Sequence, residues 1–150
     1  GVSRMTVYNH FPTEVALFNA CSTHWATQNP FPDPTDWAEI LDPATRLARA
    51  LRDMYGWYAL KQGMLGNVLR DVAIVPALAE VMDQLWSTYM LDLVRVLAQG
   101  WSLDQADDGA LPTMIRLAVD FNTWQLLTGE GLDHESAAEL MTRMVTGASD

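Results

Sequence analysis

"GVSRMTVYNHFPTEVALF", residues 1–18, reads as two helices meeting at a proline. Ser3 is a hydroxyl cap for a short helix over Arg4 to Phe11. Pro12 ends that helix, because the residue before a proline is pushed out of the α region. Thr13 caps a second helix from Glu14 to about Trp25, in which Val15, Leu17, Phe18 and Cys21 fall at helical spacing and Glu14 faces the positive end of the dipole. Gly1 stands where a tight turn wants φ > 0, so the chain reads as opening on the corner before a helix, inside a longer polypeptide.

Downstream the pattern stays helical. Residues 29–36 carry Pro30, Pro32 and Pro34 and read as a linker. Asp42 then caps Pro43, and Leu47, Leu51, Met54, Tyr55 and Tyr58 recur at intervals of three and four. Gly56, Gly63 and Gly66 predict a break near Gly63, with a separate short helix from about Met64 to Val72. Pro76 opens the most regular element, striped by Leu78, Met82, Leu85, Trp86, Tyr89, Leu93, Val96 and Leu97. After a loop ("WSLDQADDGALP"), Pro112 begins a helix through about Thr128 that is apolar on nearly every side. Asp133 caps the last helix, whose apolar face carries Ala137, Leu140, Met141, Met144 and Val145. Its other face sets Glu139 four residues before Arg143, the favourable order for an ion pair. No strand pattern competes, so the expected fold is all-α.

Composition limits the function. The chain has 150 residues, 49% hydrophobic and 19% charged, enough for one buried core. Nine Lys and Arg against nineteen Asp and Glu give a net charge of -10, which argues against a surface built broadly for nucleic acid. No apolar run has the length of a membrane span, and no signal peptide is visible. The single cysteine, Cys21, excludes an internal disulfide and reads as a helix core residue, so a cytoplasmic setting fits best.

The opening stretch resembles the signature of the TetR family of transcriptional regulators: G-V-S, a variable pair, "TVYNHF", a Pro-containing turn and "ALF" in order. The downstream succession with "MYGWY", "NVLRD" and two C-terminal amphipathic helices is similar to that family's ligand-binding and dimerisation region. The resemblance implies that residues 1–25 are the second half of a helix-turn-helix plus a connecting helix, and that 26–150 form a helical ligand-binding and dimerisation domain. It places Arg4 and Met5 at base edges, Thr6 and His10 near phosphates and Tyr8 between them. Arg4 can donate bidentately to guanine, and Met5 offers apolar contact. Asn9 reads a base or faces water. Glu14 departs from the family, many of whose members place a phosphate-contacting Lys there; a carboxylate repels the backbone instead. The helices that precede this segment in the family are absent from the sequence, so DNA binding is expected of the full-length protein.

Metal, cofactor and catalytic readings find little support. His10, His24 and His134 lack companions at ligand spacing, no nucleophile constellation or phosphate loop appears, and Asp104, Asp107 and Asp108 lack calcium-loop spacing. The expectation is therefore no enzyme, no cofactor and no metal. Asp120, one turn after Arg116, reads first as half of a helix-surface pair, then as an interface contact or a polar anchor in a cavity.

Six Trp, four Tyr and eight Met point to a small-molecule site. Trp57, Tyr58, Met64, Met82, Trp86, Tyr89, Phe121 and Trp124 fall on helices expected to converge, although aromatic stripes at this spacing are more often simple core. Few cations are available to such a pocket, so the expected effector is uncharged, lipophilic or aromatic. The helices at about 112–128 and 133–146 carry excess apolar surface that pairing with a second copy would cover. Two-fold symmetry then implies a palindromic operator, and the family's usual mode is repression relieved by ligand. The rival reading is an all-α small-molecule carrier or enzyme that does not bind DNA.

Overall fold

The computed structural model describes residues 11–101 and 110–147. Seven helices account for most of them, with no strand among the described residues: α1 (Glu14–Gln28), α2 (Thr35–Ala38), α3 (Pro43–Val72), α4 (Pro76–Leu97), α5 (Ala110–Val119), α6 (Phe121–Gly129) and α7 (His134–Gly147). The fold is all-α, as the periodicity predicts.

Helix starts follow the capping residues. The Thr13 hydroxyl accepts from the Ala16 N–H at 3.1 Å, Asp42 from the Thr45 N–H at 2.8 Å, and Asp133 from the Ser136 N–H at 2.7 Å. Helix α1 runs to Gln28 rather than Trp25, and the Asn29 side-chain amide closes it by donating to the Trp25 carbonyl at 3.0 Å. The proline segment holds the short helix α2 as well as the expected loop.

Two compact units divide the chain. The first takes residues 1–31 and 63–88, the second 32–62 and 89–150. In the first, Leu78 and Val81 are buried and Phe31 meets Trp86 edge-on with ring centroids 5.6 Å apart. In the second, Trp37, Leu47, Leu51, Met54, Tyr55, Tyr58, Leu93, Leu97, Ile115, Val119 and Val145 form the fully buried core, and α5, α6 and α7 pack on one another. Arg46 is buried here too, donating to the Ile40 carbonyl at 2.7 Å and to the Gln99 carbonyl. It ties the chain ahead of α3 to the turn that follows α4.

Several sequence expectations are corrected. Cys21 is exposed, and α1 fully buries no residue. At about 100° per residue Val15 and Phe18 share one side of the helix, and Leu17 and Cys21 the other, so there is no single stripe. Helix α3 passes unbroken through Gly56, Gly63 and Gly66. A penalty of up to about 1 kcal/mol for each glycine does not outweigh the continuous hydrogen-bond ladder and the buried face of its first half. The helix expected over 112–128 begins at Ala110 and is divided at Asp120. Glu139 pairs with Arg52 of α3 at 3.5 Å rather than with Arg143, because α7 packs close enough for the longer-range partner. Of the α4 stripe, Leu78, Leu93, Val96 and Leu97 are buried, whereas Leu85 is exposed and Val81, Met90 and Val94 complete the inner face.

Candidate effector site

The division at Asp120 is built by an exchange of hydrogen bonds. In an unbroken helix the Asn122 and Thr123 N–H groups would donate to the carbonyls of Ala118 and Val119. Here Asp120 is extended (φ -71°, ψ 136°), and its carboxylate accepts both N–H groups, at 2.8 and 3.3 Å. The two released carbonyls take phenols from α3: Tyr55 donates to Ala118 O at 2.5 Å and Tyr58 to Val119 O at 2.7 Å. Both of these N–H groups and both carbonyls thus have partners, as buried polar groups require. Asp120 is therefore the N-cap of α6, and the expected surface pair with Arg116 is not formed.

Around this joint lies a cluster of rings. Tyr58 meets Phe121 at 5.2 Å between centroids, Trp124 at 5.8 Å and Trp57 at 5.9 Å, and Phe121 meets Trp124 at 5.4 Å. Tyr55 stacks on Tyr58 at 6.2 Å. These spacings are those of favourable edge and offset contacts, so the cluster is a filled aromatic core. Burial pushes the Tyr55 and Tyr58 phenols up, and the charge of Asp120 adds to the effect on both. They remain protonated donors throughout the physiological range.

Of the predicted pocket residues, Trp57, Tyr58, Phe121 and Trp124 are thus in one cluster. Tyr89 belongs to the same unit, where its hydroxyl donates to the Pro32 carbonyl at 2.8 Å and lies 3.1 Å from the Met54 sulfur. Burial raises its phenol as well, followed by the charge of Asp33. Met64, Met82 and Trp86 belong to the other unit, where Met64 is exposed and Trp86 packs on Phe31. Sequence reading missed Tyr55, although its place three residues before Tyr58 on the same helix face was a signal.

A separate open concavity of about 240 Å3 is lined by Ala48, Arg52, Glu139, Thr142 and Arg143. It is an open surface groove bordered by the charged side chains of Arg52, Glu139 and Arg143, unlike the enclosure expected for a lipophilic effector. The residues assigned to DNA, Arg4, Met5, Thr6, Tyr8, Asn9 and His10, lie outside the described residues, as do Asp104, Asp107 and Asp108. Among the described residues no three His, Cys, Asp or Glu side chains are grouped to hold a metal ion, and no helix is long and apolar enough to cross a membrane. No protein-family model, curated protein or solved structure matches the chain.

Proposed function

We propose that this chain belongs to a ligand-responsive transcriptional regulator of TetR type, a cytoplasmic homodimer that represses from a palindromic operator and is released by a small lipophilic or aromatic effector. The observation that carries the reading is the order of residues in "GVSRMTVYNHFPTEVALF", in which Thr13 is the N-cap of α1. Arg4, Met5, Thr6, Tyr8, Asn9 and His10 are the DNA-facing residues in this proposal.

Two features of the body support it. Leu117 on α5, Leu126 on α6 and Met144 on α7 are 57%, 66% and 54% exposed on three helices that pack together. Exposed apolar side chains on adjoining helices favour burial against a second copy. The aromatic cluster lies at the joint between two of these helices, so a molecule inserted there would change their angle. A ligand preferring the conformer unable to bind DNA weakens operator affinity by the same coupling factor, about 1 to 3 kcal/mol in typical switches.

The test is a gel shift of the full-length protein on its own promoter region, with light scattering to give the mass. A shifted band from a dimer, lost on adding an aromatic effector, supports the regulator. A protein that binds aromatic molecules yet never shifts any promoter fragment refutes it in favour of the all-α carrier or enzyme. Glu14, and an α1 without Lys or Arg, are the features that favour that second reading.

A further inference from the structure

Trp124 differs from Trp37, the other tryptophan sealed from solvent. Trp37 is 1% exposed and its Nε1–H donates to Asp53 at 2.9 Å. Trp124 is 3% exposed, yet its Nε1–H has no hydrogen-bond partner. A buried indole N–H ordinarily finds an acceptor, since burial without one forfeits the bond made to water.

The neighbouring polar groups have partners. The Tyr58 hydroxyl is on Val119 O, the Tyr55 hydroxyl on Ala118 O, and the Asp120 carboxylate on the Asn122 and Thr123 N–H groups. The cluster therefore offers an incoming molecule aromatic faces and one unused donor. Its electrostatics discriminate further. The field of Asp120 reaches the phenols of Tyr55 and Tyr58, so a negative charge placed among these rings meets repulsion as well as desolvation. At the extended Asp120 the helical bonds to Ala118 O and Val119 O are replaced by side-chain bonds, so a change of angle at that residue moves the Phe121 and Trp124 rings relative to Tyr58.

We infer that the Tyr58–Phe121–Trp124 cluster takes a small uncharged aromatic molecule bearing a single acceptor oxygen, of the aryl ketone, aldehyde or ester class, with Trp124 Nε1–H as the donor that fixes its orientation. The inference rests on the effector reading above and deepens it by naming the ligand class and the recognising atom.

The experiment uses the whole chain with isotope-labelled tryptophan and follows the six indole N–H signals by NMR. Trp124 is assigned by triple resonance and checked by W124F. The probes are acetophenone, its near-isostere α-methylstyrene, which lacks the oxygen, and benzoate, which adds a charge. Acetophenone is expected to move the Trp124 indole proton downfield and to bind about fivefold more tightly than α-methylstyrene, the ratio one hydrogen bond provides. Benzoate is expected to leave the signal unmoved. Equal affinity for the two neutral probes, or a Trp124 signal that no probe moves, overturns the inference. A Trp124 proton in contact with a long-lived water that acetophenone does not displace overturns it as well.

The regulator reading is separable. Acetophenone that shifts Trp124 but leaves operator binding unchanged sinks the regulatory role and leaves the site standing. A compound that releases DNA without moving the Trp124 signal does the reverse.

Discussion

Removing Asp120 and the Tyr58 hydroxyl together should harm the protein less than the two separate losses imply. Tyr58→Phe takes the donor from Val119 O, a bond of 2.7 Å from a side chain with no exposed surface. An unpaired buried carbonyl costs about 1 to 3 kcal/mol, so about 2 kcal/mol is expected. Asp120→Ala removes a cap that accepts two N–H groups, at about 1 kcal/mol. Independent effects would sum to about 3 kcal/mol. In the double variant, however, Val119 O and the Thr123 N–H are freed simultaneously and can rejoin as an ordinary helical bond. The combined loss should then fall near 2 kcal/mol, leaving a coupling of about 1 kcal/mol. Urea unfolding followed by far-ultraviolet circular dichroism, with unchanged m-values, gives all four corners of the cycle. Additivity to within about 0.3 kcal/mol would falsify the account of the joint as one exchanged set of bonds.

Four further outcomes are expected. Gly63→Ala should stabilise the chain by about 0.5 to 1 kcal/mol, since the position is interior to α3 and an added Cβ meets nothing within 4 Å; a lower melting temperature would show that the site needs glycine. On the proposed regulator reading, Glu14→Lys in the full-length protein should tighten operator binding and steepen its dependence on log salt by about 0.9, the increment for one phosphate contact; an unchanged slope in filter-binding titrations counts against that geometry. If the chain pairs as proposed, Leu126→Glu should give a folded monomer in light scattering, and a variant that still pairs would remove α6 from the proposed surface. Hydrogen bonds from the Ser136 backbone, then its side chain, hold the Asp133 carboxyl below its ordinary value. A depressed carboxyl lends stability above its unfolded-state value and loses it as pH falls through the folded one. The start of α7 should therefore loosen on acidification below the usual carboxylate range, seen as faster hydrogen exchange at Ser136. Asp133→Asn should keep the cap and lose the pH dependence.

Capping residues were the most legible part of the sequence, because Thr13, Asp42 and Asp133 act on N–H groups three residues away and need no tertiary information. The buried face of α3 was legible for a related reason: Leu47, Leu51, Met54, Tyr55 and Tyr58 lie in one arc. Glycine content misled at Gly63, where a local penalty was set against a helix whose stability is collective. Asp120 misled in the opposite direction. Within an apolar run it resembles a surface residue, and only two phenols some sixty residues earlier make it a cap. The aromatic cluster was half legible. Tyr58, Phe121 and Trp124 were expected to meet, but no periodicity reveals that one indole nitrogen would be left without an acceptor.

The buried Arg46 gives the molecule an internal gauge. Its guanidinium protons lie between the carbonyls of Ile40 and Gln99, beyond the reach of solvent, so they can trade places with water only when that corner opens. Their exchange rate would report the opening of the second unit directly, with neither DNA nor effector present, and would distinguish a ligand that braces this body from one that merely touches its surface.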